Sequence, residues 1–435
     1  MSAKFPTVAI VGSGPSGCYV AQFLQKKWSA AQIAIFEALP VPYGLVRYGV
    51  AADHQGSKAV IQQFERMFEK GGVVFQGNVS VGRDISFAKL AASFDVVVLA
   101  TGLNNDAVLD IPVDPVAPVM GAGVLLKALN GHPRIELPKK ADGVVRELGR
   151  DIAVIGSGNV AIDVLRMIAK SDPELVGSDI SDGTRADLGT SKVRSITLVS
   201  RSGAAQAKCD ESMMVELLSL PGVGITVEGL RDNEEGRIPE LLLAASKSAS
   251  SDTQTRLSIN FLFNAAPLEI EKSAGGAQLT VTDKLFENSE KLEFDTIVTA
   301  IGFSNGSAIE STIPPSSLSG ESIYTVGWLK RGPSGTVAEN RKDAKSVADN
   351  IISDFDSGVL RAGKLGLVSV AHELSSGTVT HADWRRIDEY EVMSAGPGRC
   401  RKKIEKVRDM LRVARGGDVS LRSVIEQKNH IEELV

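Results

Sequence analysis

Two short glycine-rich strings in this chain carry the residue types and spacing that hold a diphosphate. The first, Gly12-Ser13-Gly14-Pro15-Ser16-Gly17, is entered from the apolar run Val8 to Val11 and is followed by a helical pattern from Cys18 to Trp28. The chemistry asked of the glycines is backbone chemistry. Gly12 permits a tight turn, Gly14 lets the main chain approach a pyrophosphate, and Gly17 lets the helix lie close on the strand. Phosphate oxygens can then take the free N–H groups at the helix start. Glu37 closes the next strand, Ile33 to Phe36, about twenty positions on, where a carboxylate can accept hydrogen bonds from an adenosine ribose. Glycine-rich turns alone are common; the strand before, the helix after and the acid at this distance together mark a dinucleotide site.

The second string is Gly156-Ser157-Gly158-Asn159-Val160-Ala161, entered from Ile152 to Ile155 and continued by a helix through Ile162, Leu165, Met167 and Ile168. Its following strand, Ser195 to Val199, runs into Ser200-Arg201-Ser202 and not into an acid. A carboxylate at this edge suits a free ribose hydroxyl and repels a 2′-phosphate, whereas a guanidinium attracts one. The first site therefore prefers FAD or NAD and the second NADP, the plainer reading of Arg201 being a solvated surface arginine. Both strings open βαβ units, so the fold class is α/β with two Rossmann-like dinucleotide-binding domains.

These motifs need elements to hold them. The stretch Pro40-Val41-Pro42-Tyr43-Gly44-Leu45-Val46-Arg47-Tyr48-Gly49 is too rich in proline, glycine and aromatics for a helix and reads as a structured loop. Asp53 and His54 close it before a helix expected from about Gly56 to Lys70; His54 by itself reads as a structural histidine. Short strands are expected at 73–75 and 79–81, and buried strands ending in glycine at 94–100 and 296–301. Residues 171–192 read as a polar surface loop, and 222–293 as strands between polar turns. A strand at 323–326 leads through Gly327-Trp328 to Gly335-Thr336-Val337 and a helix, whose N-terminus would favour a carbonyl or an anionic ring edge. Trp328 could equally be a core residue. The tail gathers Arg399, Arg401, Lys402, Lys403, Lys406, Arg408, Arg412 and Arg415, either a solvated helix face or a landing surface for an acidic protein.

The 435 residues are 43% apolar and 23% charged with a formal net charge of −5, an ordinary globular composition of two or three domains without a general nucleic-acid footprint. Cys18, Cys209 and Cys400 form no CxxC pair, so neither a disulfide framework nor a zinc ribbon nor a dithiol redox motif is written here. No apolar run reaches membrane-spanning length. With the first strand reached almost at once, leaving no room for a leader, a cytoplasmic protein is expected.

On these residues the chain resembles the adrenodoxin reductase family of ferredoxin-NADP reductases. The likeness rests on Val11 to Gly17 with Glu37, on Val41 to Val50 followed by Asp53-His54, on 77–84, on Gly156 to Asp163, and on Gly327-Trp328 to Val337. It implies an FAD-binding domain in two parts, residues 1–105 and 300–435, the second with a C-terminal extension, and an inserted NADP-binding domain, 106–299. It places FAD along Gly12, Gly14, Pro15, Ser16 and Gly17, with its ribose on Glu37 and with Leu45, Val81, Trp328, Gly335, Thr336 and Val337 around the remainder. NADPH would rest on Ser157, Gly158, Asn159 and Val160, with Arg201 at the 2′-phosphate, while Ser202 stands where the family usually shows a second arginine. His54 and Asp163 match a histidine and an aspartate close to the family's redox centre. The implied activity is hydride transfer from NADPH to the flavin N5 and single-electron transfer to an acidic ferredoxin-type iron–sulfur protein, by a monomer without metal. A flavin-linked reductase of a small acceptor such as a quinone, and a nucleotide-sensing flavoprotein without turnover, are the alternatives.

Overall fold

The structure is a computed structural model that describes residues 5–69, 72–230, 234–248, 255–283, 288–304 and 322–417. The chain forms two compact units: residues 1–50, 54–103 and 305–435 in the first, and residues 51–53 and 104–304 in the second. The second is thus an insertion into the first, each built as a parallel α/β dinucleotide fold.

The first unit begins with β1 (Val8–Val11), α1 (Pro15–Lys27), β2 (Ile33–Glu37), α2 (Gly44–Tyr48), α3 (Gln55–Lys58), α4 (Ile61–Glu69), β3 (Val73–Gly77), α5 (Phe87–Ser93) and β4 (Val96–Leu99). The second unit runs through β5 (Asn105–Asp106), β6 (Val119–Gly121), α6 (Ala122–Leu129), β7 (Asp151–Ile155), α7 (Asn159–Ala169), α8 (Asp182–Asp187), β8 (Ser195–Val199), α9 (Glu211–Leu218), β9 (Val223–Glu228) and α10 (Arg237–Ser248). It finishes with β10 (Leu257–Leu262), β11 (Ala265–Lys272), β12 (Ala277–Asp283), β13 (Ser289–Phe294), β14 (Thr296–Thr299) and β15 (Phe303–Ser304). The chain then returns to the first unit as β16 (Ile323–Thr325), α11 (Trp328–Arg331), α12 (Val337–Asp356), α13 (His381–Met393) and α14 (Val407–Ala414).

In the first unit five parallel strands lie in the order β16-β4-β1-β2-β3. The fingerprint strand β1 is central, and the chain leaves it toward β2 on one side and β4 on the other. That reversal opens a crevice at the carboxyl ends of the strands. Because both faces of the sheet are covered, its inner strands β1 and β4 are apolar at every position. Val8, Ile10, Val96 and Val98 enter one core, and Ala9, Val11, Val97 and Leu99 the other. The period-two alternation of side chains accounts for that division. The second unit repeats the plan with β6-β14-β7-β8-β10-β9, all parallel, and Ile152 and Val154 face one core while Ala153 and Ile155 face another. An antiparallel ribbon, β11-β12-β13, completes it.

Several expected elements differ. The segment 44–48 is helical, α2, because its prolines stand ahead of it and not inside; it is entered through Tyr43 at φ 82° and left through Gly49. The helix expected over 56–70 is two, α3 and α4. Gly56 and Ser57 are weak helix formers, and Val60 and Ile61 turn onto the core; residues 70 and 71 lie outside the described ones. Val81 makes only an isolated pairing with Ile85 in place of a strand. Residues 171–192 contain α8 and helical turns with Leu175, Ile180 and Leu188 buried. The region 222–293 holds α10, whose Ile238, Leu241, Leu242 and Ala245 have the spacing of a helix face.

Gly17 is a tight backbone seam of the first unit, since a Cβ there would lie 2.2 Å from the Gly12 carbonyl oxygen and 3.1 Å from Ile10 Cγ2. Gly17→Ala is expected to cost about 2–3 kcal/mol by forcing α1 off the sheet, measured by urea unfolding of the ligand-free protein.

Candidate functional site

At the end of β1 the chain turns through Gly12 at φ 106°. A Cβ on it would stand 2.5 Å from the Ala100 carbonyl oxygen. Gly14 is the N-cap of α1, with Pro15 in the first turn and no side-chain cap, and an added Cβ would meet no protein atom within 4 Å among the described residues. The backbone at the start of α1 is therefore open at Gly14, as a phosphate cradle requires. Thr101 Oγ1, just beyond β4, is buried with no hydrogen-bond partner among the described residues. A buried hydroxyl at the strand end that closes the same crevice adds a polar group for a ligand to satisfy.

Glu37 sits at the rim. Its Oε2 accepts from Ser13 N at 3.1 Å and Ser13 Oγ at 2.6 Å, and Oε1 accepts from Leu39 N at 3.1 Å. A carboxylate offers about four acceptor positions, so these donors orient Glu37 and leave room for a ribose. Beneath the loop, Cys18 donates its thiol to the Ser13 carbonyl at 3.1 Å. Burial pushes that thiol well above its ordinary range, so Cys18 packs and does not react.

Three further segments of the first unit join this region. Tyr43 N donates to the Ser13 carbonyl and to Ser13 Oγ, both at 3.2 Å, which sets α2 and its half-buried Leu45 beside the loop. Gly327 lies so close that a Cβ would be 2.3 Å from Ser16 Oγ, and Ser16 Oγ donates to Asn340 Oδ1 at 3.2 Å. The end of α12 is an exposed capping box: Thr336 accepts from Ala338 N, while Glu339 Oε2 accepts from Thr336 N at 2.7 Å. That end thus already holds its own carboxylate. Trp328 is half-buried, with Nε1 donating to the Ser334 carbonyl at 3.2 Å, and Val81 and Val337 pack at the edges of the cores.

The second unit rebuilds the cradle. Gly156 has φ 126° and a Cβ there would be 2.3 Å from the Ala300 carbonyl oxygen, while Gly158 caps α7 and is open. Ser157 Oγ lies 3.1 Å from Ser200 Oγ, and Ser202 N donates to the same Ser200 hydroxyl at 3.3 Å. Asn159 Oδ1 accepts from Asp210 N at 2.7 Å. Arg201 is exposed just past the carboxyl end of β8, one residue beyond Ser200, which matches the position of Glu37 in the first unit.

Asp163 lies one turn into α7 and accepts from Arg166 Nη1 at 2.7 Å. Arg166 is fully buried and also pairs with Asp53 and, at 2.8 Å, with Glu216, and Lys170 pairs with both of those acids. Burial alone would raise the Glu216 carboxyl, but the hydrogen bonds and charges of Arg166 and Lys170 outweigh it and hold it at about 2 against an ordinary 4.5. His54, the N-cap residue of α3, belongs to the first unit and Asp163 to the second. The ion cluster escapes sequence reading, since only the helical spacing of Asp163, Arg166 and Lys170 hints at it.

Two glycine cradles on parallel strands, with a carboxylate at the next strand end in one and a guanidinium just past it in the other, are the arrangement of an oxidoreductase of the FAD and pyridine-nucleotide type. Residues 6–211 match the family described as pyridine nucleotide-disulphide oxidoreductase. Cindoxin reductase of Citrobacter braakii is 38% identical over 428 residues, covering 94% of this chain and 91% of that protein. The human mitochondrial NADPH:adrenodoxin oxidoreductase is 31% identical over 460 residues, covering 94% and 92%. The solved structure of FprA from Mycobacterium tuberculosis in complex with NADPH superposes with a TM-score of 0.81 at 28% identity, over 94% of this chain and 100% of that one. The chain belongs to the adrenodoxin reductase family of ferredoxin-NADP reductases.

Since Gly14 faces open space, Gly14→Ala is expected to change unfolding free energy by no more than about 1 kcal/mol while weakening FAD binding more than roughly tenfold, read by flavin fluorescence titration beside urea unfolding. For Glu216 the lowered carboxyl value means that its contribution to stability is complete above pH 4.5 and lost as pH falls toward about 2. Glu216→Gln is expected to flatten the acid limb of a urea-midpoint profile in that window; parallel limbs in the two proteins would contradict the ion-cluster account.

Proposed function

We propose that this chain is a ferredoxin-NADP reductase: an FAD-dependent oxidoreductase that takes electrons from NADPH and delivers them one at a time to an acidic ferredoxin-type iron–sulfur protein, acting as a cytoplasmic monomer. The observation that carries the proposal is the pair of cradles with opposite charge at the ribose edge, Glu37 in one and Arg201 in the other, within a chain related along nearly its whole length to reductases named for NADPH and ferredoxin-type partners. Bound flavin supplies the exchange between hydride and single electrons.

The protein's part is binding, orientation and charge. The first unit is the FAD domain. Gly12, Gly14, Pro15, Ser16 and Gly17 line the diphosphate, with Gly14, Ser16 and Gly17 offering it their backbone N–H groups while the Gly12 N–H is spent on the Phe36 carbonyl, and Glu37, held by Ser13, takes the ribose. Leu45, Val81, Trp328, Gly335, Thr336 and Val337 surround the remaining length. The second unit is the NADP domain: Ser157, Gly158, Asn159 and Val160 hold the dinucleotide backbone, Arg201 takes the 2′-phosphate, and Ser202 adds a hydroxyl where a second cation would bind more tightly. His54 and Asp163 serve the redox centre, Asp163 oriented by Arg166. Tail cations are a weaker case for partner docking than composition suggests, because Arg401 pairs with Asp388 and Lys403 is buried against the Arg47 carbonyl.

In stopped-flow mixing with NADPH under argon, bound flavin is expected to bleach, and ferredoxin to restore its absorbance at a rate that falls with salt as docking charges are screened. A flavin that never bleaches sinks the reductase reading, and a quinone rate above the ferredoxin rate at every salt concentration favours a small acceptor. Loss of a charge-assisted phosphate contact in Arg201→Ala is expected to raise the NADPH KM roughly 10- to 100-fold with the NADH KM little changed; equal effects on both would remove Arg201 from the phosphate site.

A further inference from the structure

One buried ion pair of the first unit joins the motif loop beside the FAD cradle to the C-terminal extension. Arg47 and Glu391 are 3% and 0% exposed, and Arg47 Nη2 donates to both Glu391 carboxylate oxygens at 2.6 Å. Each partner is held again by its surroundings. Glu391 Oε1 also accepts from Ile404 N at 2.9 Å, and the Glu391 carbonyl accepts from Lys402 N at 2.8 Å. Lys403 Nζ donates to the Arg47 carbonyl at 3.1 Å, and the Arg47 guanidinium lies 5.0 Å from the Tyr48 ring centroid and 5.1 Å from that of Trp384. Burial alone would favour loss of the Arg47 proton, but the Glu391 charge outweighs it and raises the guanidinium further above its usual range.

A second anchor lies at the other end of the same turn. Glu65 accepts from the Tyr43 hydroxyl, from Trp384 Nε1 at 2.7 Å and shares a hydrogen bond with His381 Nε2 at 2.8 Å. Tyr43 sits at φ 82°, a conformation a bulky residue keeps only when its surroundings over-determine it. What these anchors press upon is the fingerprint itself: Tyr43 N bonds to Ser13, and a Cβ on Gly44 would lie 3.2 Å from Gly14 Cα. Ser13 in turn orients Glu37. The path from Glu391 to the cradle is therefore a short series of direct contacts: Glu391, Arg47, the 43–48 turn, Ser13 and Gly14.

We propose that Glu391 is a positioning residue for FAD: through Arg47 it holds the 43–48 turn against Ser13 and Gly14, so that the segment from His381 to Lys403 sets the affinity and seating of the cofactor. The proposal rests on the assignment of FAD to the first unit. Removing one partner of a buried pair leaves the other charge uncompensated, so the turn must open to hydrate Arg47 and the cradle loses its wall.

The test uses the full chain stripped of flavin and titrated with FAD, with 2′,5′-ADP binding to the second unit followed by calorimetry. Glu391→Gln is expected to weaken FAD at least tenfold and to change the visible circular dichroism of the bound flavin at saturation, while 2′,5′-ADP affinity stays within twofold of wild type. FAD affinity within twofold of wild type, or equal losses at both sites, would overturn the proposal. Should E391Q not fold, Lys403→Met decides, since it removes the bond to the Arg47 carbonyl and leaves the Arg47–Glu391 pair in place: a three- to fivefold weaker FAD supports the proposal and an unchanged affinity refutes it. Wild-type protein that binds no FAD would instead refute the functional assignment beneath it.

Discussion

Both units depend on one constraint, the approach of backbone to backbone at the carboxyl ends of adjacent parallel strands. Gly12 stands against the Ala100 carbonyl and Gly156 against the Ala300 carbonyl, at distances that leave no room for a Cβ. The hydrogen bonds around the two turns correspond as well. Gly12 N donates to the Phe36 carbonyl and Ala100 N to that of Val11; Gly156 N donates to the Val199 carbonyl and Ala300 N to that of Ile155. Each turn is thus tied to the strand on either side of it, and the following helix must start where its free N–H groups point out of the sheet. A phosphate site follows from that geometry without any charged side chain.

Similar cradles then carry side chains of opposite charge at the next strand end. Glu37 is pinned by Ser13 and Leu39 N, so its negative charge is fixed in place, whereas Arg201 is exposed and free to adjust. The charges that matter for architecture lie deeper. Arg47 with Glu391 and Arg166 with Asp53 are buried pairs whose breakage strands a charge in the interior, while Asp163 and Glu216 meet the buried Arg166 as more exposed partners. Exposed pairs such as Arg83 with Asp84 or Lys345 with Asp349 contribute little beside them.

The tail divides between the two readings of its cations. Lys402, Lys406, Arg408, Arg412 and Arg415 are exposed while Met410, Val413 and Ala414 turn α14 into the core, the pattern of a solvated amphipathic face, but Lys403 is buried and Arg401 is paired. The 43–48 turn reads as loop because its prolines and glycines are conspicuous, and its helix exists because the prolines stand ahead of it, Gly44 opens it and Gly49 only caps it. In α10 the helical spacing was present all along and was hidden by the strands around it.

The sequence by itself determined the two cradles, because a tight turn, a close backbone approach and a helix start are local requirements that only glycine at fixed spacing meets. It determined the fold class for the same reason, since apolar runs alternating with helical patterns demand parallel sheets covered on both faces. Tertiary structure alone decided what holds the cradles in shape. Glu391 meets Arg47 across 344 positions, and Arg166 meets Asp53 across 113. No periodicity encodes such pairings, because they exist only once packing has brought distant segments together and removed the water that would otherwise solvate each charge.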